Sequence, residues 1–329
     1  DVCSSDLTLA STSGVDILKG GDGADTLTGG AGADVIDAGA GDDRVTYDLA
    51  DQRIWGGTGT DTLVITTGLT AGVPDVDLSG KGGTQVSGFE KIDLGTNGAV
   101  MLDDASVLAL NETGRVTVLG SASSTLKLYG GWAFVGMDSD ATGALFKVLQ
   151  KGDAFITVAD TVTLDIQNEL GGAVTVGGAG PDIINVGAMQ GAMTGDGDDT
   201  VTVTNMSFAA IDTGRGTDTI RFNMAGQVNT TLLPPTGLTN IEVLDLTYNA
   251  AANELVLSPE KAAQMSDANN VLVVKGTAGT DTMLLYGSWT MTQNVAYNGV
   301  TYDLATGSNG VKVYYTDNMV ASISNPPTP

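Results

Sequence analysis

A nine-residue period constrains this chain more than any other feature. GGDGADTLT begins at Gly20, GGAGADVID at Gly29, AGAGDDRVT at Ala38 and GGTGTDTLV at Gly56. The first three starts are nine residues apart, and the fourth is two further steps on. STSGVDILK from Ser11 fits the same frame upstream, and YDLADQRIW from Tyr47 keeps the length but loses the glycines. In all six nonamers the eighth residue is a large aliphatic: Leu18, Leu27, Ile36, Val45, Ile54 and Leu63. A unit this short cannot bury a face alone, so its copies must stack to build one core.

The pattern implies a tight turn of about six residues followed by a strand of about three, since strand side chains alternate and one aliphatic per repeat faces inward. The glycines permit the positive-φ turn, and the sixth-position aspartate points into it. Two nonamers are expected to complete one coil, so that Asp25, Asp43 and Asp61 form one column. Asp16 and Asp34 begin a second, which fades at Gln52. Stacked carboxylates repel unless a hard cation lies between them. Ca²⁺, which takes carboxylate and carbonyl oxygens in a flexible shell, fits better than the stricter Mg²⁺. One aliphatic per nine residues contributes about 2 kcal/mol, against roughly 1–2 kcal/mol per residue for ordering the backbone. The ion is therefore expected to supply folding energy.

The array recurs. GGAGPDIIN starts at Gly177, TGDGDDTVT at Thr194 and TGRGTDTIR at Thr213. An offset of 157 residues places Gly177 on Gly20, Asp182 on Asp25, Ile184 on Leu27 and Asp218 on Asp61. Met193, Ile211 and Ile220 fall on Ile36, Ile54 and Leu63, while Asp199 slips by one residue from the position Asp43 dictates. The column Asp182, Asp199, Asp218 survives; the other side carries Gly191 and Ala209 and is expected to be empty. VSGFEKIDL (86–94) resembles LTNIEVLDL (238–246), and the segment 116–132 resembles 272–289. Short helices are expected from Asp103 to Leu110 and from Ser258 to Met265, with Ser258 as N-cap and Pro259 as first helical residue.

The expected fold is all-β, a parallel β-roll or β-solenoid in two tandem modules with short helices. Its segments are a lead-in at 1–10, a roll at 11–66, a β-rich tail at 67–170, a second roll at 171–222, a second tail at 223–325 and a linker at 326–329. The opening DVCSSDL reads as the translation of a sequencing-adapter oligonucleotide, which would make Cys3 foreign and the true N-terminus missing.

Composition narrows the chemistry. Acidic residues number 39 against 14 basic, a net charge of −25, which excludes a nucleic-acid partner because phosphate binding needs clustered Lys and Arg. Charged residues are only 16 % of the chain, so it is no disordered acidic tail. There is no His and one Cys, which removes His-based catalysis, zinc sites and an internal disulfide. No GxSxG occurs. The carboxylate pair Asp103–Asp104 reads as a solvated helix start rather than an acid/base pair. No charged-then-apolar leader is visible and no apolar run reaches about 18 residues, so no membrane insertion is expected.

The nonamers resemble the RTX (repeats-in-toxin) family, whose motif is GGxGxDxUx, with U a large aliphatic. The tails resemble a unit of large RTX surface adhesins and surface-layer-type proteins, here read as NIEVLDLTYN, SPEKAAQM, VVKGTAGTDTM, YGSW and YNGVTYDL. That resemblance implies a Ca²⁺-filled parallel β-roll, type I secretion and folding outside the cell. It carries calcium-ligand roles to Asp16, Asp25, Asp34, Asp43, Asp61, Asp182, Asp199 and Asp218. Asp281, in GTAGTDTML, also fits the motif, but it has no identified stacked partner, and its counterpart is Ser124. Three functions stay open: a calcium-binding structural or adhesive segment of a secreted or cell-surface protein, the non-catalytic repeat region of a secreted enzyme, and binding of surface polysaccharide or protein through Tyr129, Trp132, Tyr286 and Trp289. Self-assembly is also compatible with such a segment.

Overall fold

The computed structural model describes residues 6–65, 76–79, 85–168 and 172–324. The chain forms two compact units, Asp1–Glu169 and Leu170–Pro329. The linker expected at 326–329 and residues 1–5 of the lead-in lie outside the described residues.

In the first unit the nonamers coil as their period requires. Odd and even repeats feed two parallel sheets. One holds Thr8–Ala10, Thr26–Thr28, Arg44–Thr46 and Thr62–Val64; the other holds Ile17–Asp22, Val35–Ala40 and Arg53–Thr58. Within each sheet a residue pairs with the one 18 positions on, as in Leu27↔Val45 and Ile36↔Ile54. The eighth-position aliphatics thus stack directly on one another, and all six are buried. Thr8–Ala10 extends this ladder upstream, with Leu9 paired to Leu27.

The same sheets continue past the repeats. Lys91–Asp93 pairs with Thr62–Val64, then Arg115–Leu119 and Ala154–Ala159 follow in parallel, and the antiparallel strands Leu145–Lys151 and Ala133–Ser139 complete the sheet. Leu63, Ile92, Val118 and Val158 form one unbroken buried row. A third parallel set in this unit comprises Val76–Asp77, Ala99–Leu102, Thr125–Tyr129 and Thr163–Gln167. Wider coils enclose more apolar volume, so Phe89, Leu94 and Leu110 join the core.

The second unit repeats this plan. Ile183–Val186, Thr200–Val203, Thr219–Phe222, Val243–Asp245, Val271–Lys275 and Lys312–Thr316 run parallel, followed by the antiparallel Val300–Gly307 and Trp289–Tyr297. Ile184, Val201, Ile220, Leu244 and Val274 make its buried row.

Two helices form where their caps dictate. In α1 (Asp104–Leu110) the N-cap Asp103 side chain accepts the Ser106 N–H, and the Ser106 hydroxyl accepts the Asp103 N–H. Asp103 and Asp104 thus start a helix, and Asp104 pairs with Lys151 at 2.9 Å. In α2 (Pro259–Met265) the Ser258 hydroxyl accepts the Lys261 N–H, and Pro259 opens the helix. Each helix ends against an earlier turn: the Leu110 carbonyl accepts the Gly88 and Phe89 N–H groups, and the Met265 carbonyl accepts that of Ile241. Among the described residues no helix is long and apolar enough to cross a membrane.

Leu63 links the repeat coils to the wider ones and is fully buried. Leu63→Ala is expected to cost about 2–5 kcal/mol, read as a lower midpoint of chemical unfolding at saturating calcium.

Candidate metal centre

The sixth-position aspartates build a ladder of their own. The Leu7 N–H donates to Asp25 Oδ1 (2.8 Å), the Asp25 N–H to Asp43 Oδ1 (2.7 Å) and the Asp43 N–H to Asp61 Oδ1 (2.9 Å). On the other side of the coil the Asp16 N–H donates to Asp34 Oδ1 (2.8 Å). In the second unit the Asp182 N–H donates to Asp199 Oδ1 and the Asp199 N–H to Asp218 Oδ1, both at 2.8 Å. Each carboxylate therefore clamps the turn one coil below it. The slipped Asp199 still makes both bonds, because the coils around it are 17 and 19 residues long and the difference cancels.

Six carboxylates use one oxygen in this way; the other oxygen divides the set in two. Asp25, Asp34, Asp43, Asp61, Asp199 and Asp218 are at most 1 % exposed, and the Oδ2 of each is buried with no donor. In Asp16, Asp182 and Asp281 the second oxygen is satisfied, by the Ser11 hydroxyl (2.5 Å), the Gly178 N–H (2.7 Å) and the Thr277 N–H (2.7 Å). Asp281 does have a partner one coil away, since its Oδ1 accepts the Asn253 N–H at 2.9 Å. Gly191 and Ala209 place no carboxylate opposite the second unit's column.

An ionised carboxylate buried with a vacant lone pair is costly, and its proton affinity rises accordingly. Burial first, then neighbouring carboxylates, pushes Asp61 up to about 6 and Asp218 up to about 7. The Thr213 hydroxyl lies close enough to Asp218 to oppose that rise, but its own proton goes to the Asn240 carbonyl, so Asp218 Oδ2 keeps no donor.

The glycines leave room beside these oxygens. A methyl on Gly20 would sit 2.2 Å from Asp25 Oδ2 and 2.3 Å from the Ala38 carbonyl oxygen; on Gly29 it would sit 2.4 Å from Asp34 Oδ2. At these two positions the missing side chain keeps the slot open. At Gly41, φ is +135°, and a methyl there would lie 2.0 Å from the Gly23 oxygen. Among the described residues no three acidic side chains converge on one point. A cation here must draw most of its ligands from turn carbonyls, as Ca²⁺ does readily. The donor set is all oxygen, hard and anionic, and it fits Ca²⁺.

Three acidic residues outside the aspartate columns share this environment. Glu90 Oε2 accepts the Asp61 N–H and Glu242 Oε2 the Asp218 N–H, each at 2.8 Å. Asp-x-aliphatic in the nonamers becomes Glu-x-aliphatic at Glu90–Ile92 and Glu242–Leu244, a spacing visible in the sequence. Asp51 stands one residue before Gln52, where the second column was expected to fade. It is 2 % exposed with Oδ1 buried and unpartnered, and burial, then Asp34 and Asp48, pushes it up to about 6.

The four aromatic residues considered for binding differ in exposure. Trp132 is buried, Trp289 packs on the core with its Nε1–H on the Tyr286 carbonyl, and only Tyr129 is well exposed.

A parallel β-roll whose turns carry columns of half-satisfied carboxylates defines a class of metal-binding repeat. Residues 11–45 match the RTX calcium-binding nonapeptide repeat in four copies. The first roll thus carries RTX calcium-binding repeats. No curated protein matches it significantly. The second block, outside the matched residues, makes the same ladder from the same residue types.

Asp43→Ala removes an orphaned oxygen between two levels and is expected to raise the calcium concentration needed for folding. Asp281→Ala, whose oxygens both hold backbone N–H groups, should leave that midpoint nearly unchanged; a calcium titration followed by circular dichroism separates them. The pH dependence has a definite sign. Asp61, Asp218 and Glu242 have folded pKa values of about 6, 7 and 7, raised from 3.8, 3.8 and 4.5. Their contribution to metal-free stability is present below about pH 4 and lost as pH rises through about 7. Calcium needs the ionised forms, so its binding at pH 6 should release protons, measurable by calorimetry in buffers of different ionisation enthalpy.

Proposed function

We propose that this calcium-binding region is a structural and adhesive segment of a secreted or cell-surface RTX protein, and that its rolls order on meeting Ca²⁺ outside the cell. The observation that carries this reading is the set of six buried aspartates with one vacant oxygen each. Without a cation they crowd like charges into dry turns, and the chain's net charge of −25 adds to the repulsion. With a cation the same oxygens become ligands, and binding free energy becomes folding free energy. A chain of this kind stays loose where free calcium is scarce and stiffens where it is abundant.

The reading makes the stiffened rolls a spacer that presents neighbouring segments, with surface polysaccharide, another protein or further copies of the chain as the partner. It assigns no catalysis to these residues. Circular dichroism during a calcium titration tests it: strand signal should be low in chelator and should rise cooperatively with added Ca²⁺ but not with equal Mg²⁺. A spectrum unchanged between chelator and millimolar calcium would sink the proposal.

A further inference from the structure

The carboxylate ladder of the first unit does not stop where the nonamers stop. Its last aspartate, Asp61, donates its N–H to Glu90 Oε2 as Asp43 donates to Asp61 Oδ1. Glu90 thus holds the place of a sixth-position aspartate in a coil that has lengthened from 18 to 29 residues. The backbone around it is held firmly. The Glu90 and Lys91 N–H groups both donate to the Asp61 carbonyl, and Gly88 and Phe89 donate to Leu110 at the end of α1.

We propose that Glu90 supplies a carboxylate ligand to a further calcium site, between the last nonamer turn and the first wide coil. This rests on reading the nonamers as calcium sites and extends the column by one level beyond them. Asp61 Oδ2 points into that level, wholly buried and without a donor. The slot seen at Gly20 recurs there: a methyl on Gly56 would lie 2.9 Å from Asp61 Oδ2 and 1.9 Å from the Gly88 carbonyl oxygen. A carboxylate oxygen and a carbonyl oxygen therefore face the same glycine-lined space, as Asp25 Oδ2 and the Ala38 oxygen do. A cleft of about 540 Å³, lined in part by Gly57, Gly88 and Glu90, offers an ion a path from solvent.

The second unit provides a contrast. Glu242 accepts the Asp218 N–H, but the slot belongs to Thr213, whose hydroxyl donates to the Asn240 carbonyl two residues before Glu242. There a side chain occupies the space that Gly56 leaves open, so the extra site belongs to the first unit.

The test compares the full chain with its Glu90→Gln variant by equilibrium dialysis against radioactive calcium. Glutamine keeps an oxygen to accept the Asp61 N–H, so a purely structural clamp survives the change while the ligand charge is lost. One fewer ion bound per chain, or one site weakened at least about tenfold, is the expected result. An unchanged count with unchanged affinities overturns the proposal. If the unaltered chain binds no calcium, the nonamer reading itself fails, a separate outcome. Should Glu90→Gln not fold at saturating calcium, a calcium-grown crystal of the unaltered chain decides. An ion about 2.3–2.6 Å from a Glu90 carboxylate oxygen supports the site, and its absence there overturns it.

Discussion

Everything in the two rolls hangs on a carboxylate that serves two masters. One oxygen accepts the N–H of the aspartate a coil below; the other is buried with nothing to bond it. The first bond sets the stacking register, since it forms only when equivalent residues lie directly over one another. The second oxygen makes that stacking conditional, because a buried anion without a partner is among the costlier things a fold can contain. Structure and cation dependence therefore come from the same six side chains, through different oxygens.

The small core explains why this arrangement is tolerated. Each nonamer buries one aliphatic, so the repeat coils gain little from the hydrophobic effect and lean on the turns. The wider coils that follow bury Phe89, Leu94 and Leu110, or Leu246, Met265 and Leu272 in the second unit. Their helices are capped by their own side chains and need no ion. The narrow roll is thus continued by sheet with a fuller apolar core, and Leu63–Ile92 and Ile220–Leu244 are the joints.

Much of this was legible from residue order because period and chemistry coincide. The aspartates, the aliphatic row, both helices and the Ser258 cap follow from local rules that tertiary packing did not overturn. What escaped has physical causes. Glu90 and Glu242 sit in coils of a different length, so counting in nines passes over them, although the Glu-x-aliphatic spacing marks them. Asp51 is displaced by one residue because its turn closes on Asp48 instead of on a glycine. Asp281 fits the motif in letters, yet Asn253 and Thr277 take both its oxygens. Whether an oxygen is left vacant depends on which N–H groups reach it, and no motif records that.

The claim that vacant oxygens make the rolls conditional on calcium is tested most directly by amide hydrogen exchange, residue by residue, with and without the ion. The N–H groups of Asp25, Asp43, Asp61, Asp199 and Asp218 report the ladder itself, whereas those of Leu119 and Val274 report the wider coils. The account predicts strong protection of all of them in calcium, and loss of protection at the five acidic positions first and most completely in chelator. Equal protection of the five in both conditions would contradict it.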